Sequence, residues 1–138
     1  EEERYKQTSL AEINQELSKS IGFSFDGQKE QSWSFEPGKE EKIRYEIKGE
    51  SGTEAFSFNL KDVDPEQVAT TVTRRAITLS LGIKDREKFI KTFEDDTPKN
   101  FVSKVSLYPL DIENVKHVHK LIMMGLAFLD EGDTAESN

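Results

Sequence analysis

The residues of this chain that could do chemistry are mostly acids: 27 Asp and Glu against two His and no Cys. The lack of cysteine excludes disulfides, thiol nucleophiles and thiolate metal sites. His117 and His119 stand two positions apart. On a helix that spacing turns them roughly 200° from each other, so they cannot share a metal ion. A zinc-protease pair needs a spacing of four. The expected arrangement puts His119 beside an apolar stripe and His117 on the wet face. Asp62-Val-Asp64-Pro65 opens like a calcium loop. Counted from Asp62, however, Gln67 takes the place of the bend glycine and Thr73 that of the closing glutamate. The loop fails, and Asp64 reads as a helix cap instead.

Glu94-Asp95-Asp96 is an acidic triplet between two strand-like runs. It would hold a cation if folding brought another carboxylate near, but reads more simply as a solvated turn. A glycosidase needs two acids across a cleft, a separation that sequence does not carry. No G-x-S-x-G elbow, glycine-rich phosphate loop or dinucleotide fingerprint occurs. The expectation is therefore no catalytic, cofactor-binding or metal residue, and no enzyme. An undetected carboxylate site is the residual enzymatic reading.

Charge narrows the partners. The formal charge is −8, but the first four residues carry −2 and residues 130–138 carry −4. Residues 5–129 are close to neutral, and the acidic ends, 1–6 and 131–138, read as solvated and flexible. Such a balance argues against nucleic acid and anionic membrane surfaces, which reward clustered Lys and Arg. Arg74-Arg75 with Lys84 and Arg86 is the main basic group. It would hold an anionic peptide or phosphate if gathered, and otherwise is a solvated face. No run reaches membrane-spanning length, so no direct membrane insertion is expected. A chain opening on Glu rather than Met reads as processed or trimmed.

The elements that must position these residues follow from periodicity. Ser9-Leu-Ala-Glu12 is a capping box, and Leu10, Ile13 and Leu17 follow at helical spacing, predicting a helix over 9–20. Strands come next. Phe23 and Phe25, Trp33 and Phe35, Ile43, Tyr45 and Ile47, then Phe56, Phe58 and Leu60 all alternate with polar residues. Asp26-Gly27, Pro37-Gly38 and residues 49–52 read as the turns between them. Alternation of this kind fits antiparallel strands with one face on a core. Asp64-Pro65-Glu66-Gln67 predicts one helical turn, followed by an extended β-branched run over 68–72. Ile77 to Ile83 alternates again. A hairpin loop is expected at 84–87, then a strand over 89–93, and a last strand through Phe101, Ser103, Val105 and Leu107. Asp111 caps a final helix whose stripe is Val115, Val118, Ile122, Leu126 and Leu129, closed by Gly132. Leu121, Met123, Met124 and Phe128 widen that stripe. Trp33, Tyr45 and most Phe lie on the apolar side of their strands and read as core.

The 138 residues make one α+β domain with an ordered core over about 8–130. It has an N-terminal helix, an antiparallel sheet of about six to seven strands and a long C-terminal helix. Both helices are expected on one sheet face. A strand meander closed by a helix resembles the pleckstrin-homology-like architecture, and a flatter helix-backed sheet is the alternative. Three stretches carry a further likeness. They are the capped helix from Thr8 to Leu17, the strand exit Leu60-Lys-Asp-Val-Asp-Pro65 after Phe56, and the passage from Val105 to Asn114. Together they resemble small uncharacterised domains of bacterial exported proteins, matching no characterised family. The resemblance implies a periplasmic or cell-envelope setting and brings no active site with it.

The functional expectation is a non-enzymatic interaction or scaffold domain binding protein, self-association included. Its surface would be a strand edge or the widened helix at Leu121, Met123, Met124 and Phe128. The alternative is a carrier of a small apolar ligand between sheet and C-terminal helix, lined by Met123 and Met124.

Overall fold

The computed structural model describes residues 10–21, 24–25, 29–36, 38–50, 52–74, 77–109 and 111–137. The expected cap at Ser9, Phe23, the Asp26-Gly27 turn, Pro37, Arg75 and the acidic first residues lie outside these.

Helix α1 (Leu10–Ile21) buries Leu10, Ile13, Leu17 and Ile21, the stripe its spacing requires. Asn14 is buried among them because both ends of its amide are satisfied. Its Nδ2 donates to the Glu40 carbonyl at 2.7 Å, and its Oδ1 accepts from Trp33 Nε1 at 3.1 Å. Trp33 is 3% exposed and meets the Phe58 ring edge-on at 5.9 Å. One polar pair thus lets an indole sit deep in the core without an orphaned N–H.

The strands form two antiparallel sheets. The first has the order β1 (Ser24–Phe25), β2 (Lys29–Glu36), β3 (Lys39–Gly49), β4 (Gly52–Asn59), β7 (Ile90–Glu94), β8 (Thr97–Val102). The second has the order β5 (Val63–Val72), β6 (Ile77–Ile83), β9 (Lys104–Leu107). Register follows the alternation: Trp33 opposes Tyr45, Tyr45 opposes Phe56, and Ile43 opposes Phe58. These side chains therefore share the core face.

The chain crosses between sheets three times. A 3₁₀ turn (Leu60–Asp62), capped by the Asn59 side chain on the Lys61 N–H, leads from β4 to β5. The expected hairpin loop at 84–87 is instead a crossing from β6 to β7 through a 3₁₀ turn (Lys84–Arg86). Asp85 and Arg86 both hold φ 57° there, and the tight left-handed corner turns the chain out of the second sheet. The third crossing divides the single strand expected over 101–107. At Ser103 the chain leaves β8 and enters β9, and the Ser103 carbonyl accepts the Ile83 N–H at 2.9 Å. Because β7 and β8 return to β4, the strand succession is not a plain meander.

The helical turn expected at Asp64-Pro65 is absent. These residues lie in an irregularity of β5, where the register moves from Val63↔Ile83 to Val68↔Leu81. Pro65 has no N–H for a ladder and suits such a bulge. Asp64 does act as a cap, but of a turn: its Oδ1 accepts the Glu66 N–H at 3.0 Å.

Helix α2 (Ile112–Ser137) begins where Asp111 Oδ1 accepts the Asn114 N–H at 2.8 Å. It runs through Gly132 rather than ending there. Glycine within a helix costs about 1 kcal/mol, which is a penalty and not a stop. The two helices do not share a sheet face. α1 packs on β2 and β3, α2 packs on β5, β6 and the first 3₁₀ turn, and the helices pack on each other. Gly125 lies at that contact. A Cβ there would stand 3.2 Å from Leu60 Cδ2 and 3.6 Å from Leu10 Cδ1. One hydrophobic cluster takes residues from both sheets and both helices.

Candidate functional site

In the Glu94-Asp95-Asp96 triplet, Glu94 ends β7 opposite Thr97, and Asp95 and Asp96 form the two-residue turn to β8. Asp95 and Asp96 hold φ 49° and 67°, as a type I′ hairpin turn requires. Each acid has its own partner. Asp95 Oδ1 accepts the Thr53 N–H at 2.9 Å, while the Asp95 N–H donates to the Thr53 carbonyl at 2.8 Å. Gly52, at φ +139°, leaves room for that carboxylate, since a Cβ there would stand 2.7 Å from Oδ1. Asp96 pairs with Arg44 at 2.9 Å, and Glu94 with Lys99 at 3.6 Å. The three carboxylates thus diverge and lock one turn onto another.

Arg44 is the centre of a cluster on the outer face of the first sheet. Its Nε pairs with Glu46 at 2.9 Å, and its guanidinium carbon lies 5.0 Å from the Phe93 ring centroid. Alternation puts Arg44 on this wet face, but nothing in the sequence links it to Asp96, 52 positions away.

A buried polar junction sits where β2 meets the exit of β9. Gln31 is 4% exposed. Its Nε2 donates to the Tyr108 carbonyl at 2.6 Å and its Oε1 accepts the Tyr108 N–H at 2.8 Å. Tyr45 also donates its phenolic proton to Gln31 Oε1. Burial, with Tyr108 adding a smaller electrostatic contribution, pushes the Tyr45 phenol far above its ordinary pKa. Every polar atom here is engaged with the fold, so the junction is structural.

His117 is exposed, and His119 half-buried beside the stripe. No group of three or more His, Asp or Glu among the described residues converges as a metal site. Asp62 falls in the first 3₁₀ turn. Asp64 is engaged by Glu66 and by Gln67 Nε2 at 3.1 Å. The basic group is not gathered. Arg74 follows β5 at one end of the β5–β6 pair, while Lys84 and Arg86 follow β6 at the other. Seven strand residues separate those ends by roughly 20 Å.

The widened stripe of α2 is divided. Leu121 is 7% exposed and belongs to the core, Met123 and Met124 pack partly against it, and Phe128 is 40% exposed. By the helical repeat, Met124 and Phe128 lie on Leu121's flank, and Met123 lies on the other. Met123's flank borders a groove of about 370 Å³ between α2, the first 3₁₀ turn and the start of β5. Val63, Pro65, Met123 and Leu126 line it together with the exposed Lys61 and Lys84. The two lysines were not foreseen there, because they come from corners 23 positions apart.

No helix among the described residues is long and apolar enough to cross a membrane. Compared with protein-family models, curated proteins and solved structures, the chain matches none of them.

Proposed function

We propose that this chain is a non-enzymatic interaction domain that offers α2 and its adjoining groove to a protein partner. The observation that carries the reading is the groove itself, lined by apolar residues beside Met123 and by the exposed Lys84. Interfaces combine an apolar centre with a charged rim in this way. Met123 adds a side chain that adapts to the surface it meets. A segment carrying apolar residues next to Asp or Glu complements both parts. Phe128, on the opposite flank, extends the available apolar surface around the helix. The envelope setting is supported by the sequence resemblance alone.

A displayed library of short peptides tests this. The native chain should enrich peptides that pair apolar residues with acids. Met123→Ser and Lys84→Glu should each weaken the selected peptides about tenfold or more. Equal enrichment on the native chain and on Met123→Ser would overturn the reading.

The same groove favours a second reading, a carrier for a small apolar ligand with an anionic head. Its volume falls at the lower end of the range for ligand pockets, about 300–1,000 Å³. Native mass spectrometry and thermal shifts across a fatty-acid panel test it. A ligand-free mass with no shift would sink it.

A further inference from the structure

We infer that the free edge of β5 pairs with β5 of a second copy of this chain, joining two three-stranded sheets into one of six. The inference deepens the interaction reading and rests on residues 68–72 of β5, beyond Pro65, the last β5 residue that lines the α2 groove. β5 has β6 on one side and, among the described residues, no strand on the other. Open edges are usually guarded by Lys, Pro, bulges or shortness. The other three edge strands fit that rule. β1 is two residues long, β8 carries Pro98 and Lys99, and β9 has four residues including Lys104. On β5 the bulge and Pro65 guard the first half. Val68-Ala69-Thr70-Thr71-Val72 has no guard: it is uncharged, rich in β-branched residues and in regular register with β6. Residues 69–72 are exposed, Val72 by 59%.

The occupant follows from self-complementarity. In an antiparallel pair about a two-fold axis at Thr70, Val68 opposes the partner's Val72, and Ala69 opposes the partner's Thr71. Val68 and Val72 lie opposite Leu81 and Ile77 on β6, so the paired valines extend the apolar face of both sheets. Outside that regular run, Glu66 in the bulge and Arg74 just past the strand put opposite charges near each end of the pair. Both residues are exposed. Shifting the axis to Thr71 would set Val68 against the partner's Arg74. Shifting it to Ala69 would set Val68 against the partner's Thr70. The register centred on Thr70 alone among these matches valine to valine.

The test uses the full chain, whose lack of cysteine makes engineered thiols unambiguous. Sedimentation velocity should show a concentration-dependent dimer. Directly opposed strand residues have Cα atoms about 4.5–5.5 Å apart, inside the disulfide window of about 4.4–6.8 Å. Thr70→Cys should therefore cross-link under mild oxidation. Val72→Cys should be at least tenfold slower, because its two copies lie about 13 Å apart along the strands. Glu66→Arg should weaken the dimer about tenfold, and Glu66→Arg with Arg74→Glu should restore it. A chain that stays monomeric, equal cross-linking of the two cysteine variants, or no rescue by the double reversal overturns the inference. A dimer abolished by Phe128→Ser and indifferent to the β5 variants also overturns it, while leaving the α2 reading standing. Conversely, peptides selected on the groove should bind Thr70→Cys, kept reduced, unchanged.

Discussion

Tyr45 and Gln31 show how a buried polar junction acts on stability. Below about pH 10, the ordinary phenol value, Tyr45 is protonated in both folded and unfolded chains. Above it the unfolded phenol ionises while the buried one does not. Its folded pKa is raised, so its contribution is complete below pH 10 and declines as pH rises. The slope approaches about 1.4 kcal/mol per pH unit. Urea unfolding between pH 9 and 11.5 should show this component in the native chain and not in Tyr45→Phe. Gln31→Leu should cost about 3 kcal/mol, because it removes the two hydrogen bonds to the Tyr108 backbone and the one from the buried Tyr45 hydroxyl. At the β7–β8 turn two effects oppose. A non-glycine residue at positive φ costs about 1–2 kcal/mol, and the exposed Arg44–Asp96 pair contributes at most about 1. Asp96→Gly should therefore stabilise by up to about 1 kcal/mol, read from the shift in the denaturation midpoint.

At the scale of elements, the contact between α1 and α2 depends on Gly125. Alanine would gain about 1 kcal/mol of helix propensity. Its Cβ would press on Leu60 Cδ2 at 3.2 Å, a side-chain end that can give by a few tenths of an ångström. Gly125→Ala should be within about 1 kcal/mol of neutral. Gly125→Leu has no such escape, since Leu10 and Ile13 close the other sides, and should cost about 3 kcal/mol through overpacking. Comparing the two variants by thermal denaturation separates propensity from packing. The strands carry a second such conflict. Glu54 and Glu94 oppose each other directly across β4 and β7, a like-charge pair that adjacent Lys99 relieves in part.

The whole molecule has one core. Trp33 and Tyr45 from the first sheet and Leu79 and Leu81 from the second meet Leu17 of α1 and Ile122 of α2 in a single cluster. Neither sheet has an apolar face that could stay covered without the other layer, so the domain should unfold in one transition. Trp33, the sole tryptophan, reports the first sheet. Leu79→Ala, a substitution in the second sheet, should cost about 2–5 kcal/mol. It should also displace the Trp33 fluorescence and far-UV circular dichroism transitions equally. Separate transitions would show two independently stable layers.

Much of this architecture is local in origin. The faces of β2, β3, β4 and β6, the stripe of α1 and the buried side of α2 are all readable from spacing. A side chain's period reports whether its face meets a core. The period does not report which surface supplies that core. A strand alternates in the same way in either sheet, so the run from Phe101 to Leu107 reads as one strand although it divides at Ser103. Helical stripes likewise do not reveal that α1 and α2 pack on each other. The candidate sites divide along the same line. The apolar width of α2 is in the sequence. Its partition into a buried Leu121, an exposed Phe128 and a groove beside Met123 that Lys61 and Lys84 also line arises only when distant corners are brought together. The β5 edge is the clearest case: the uncharged run over 68–72 is local, but tertiary structure alone leaves it with no second strand beside it among the described residues.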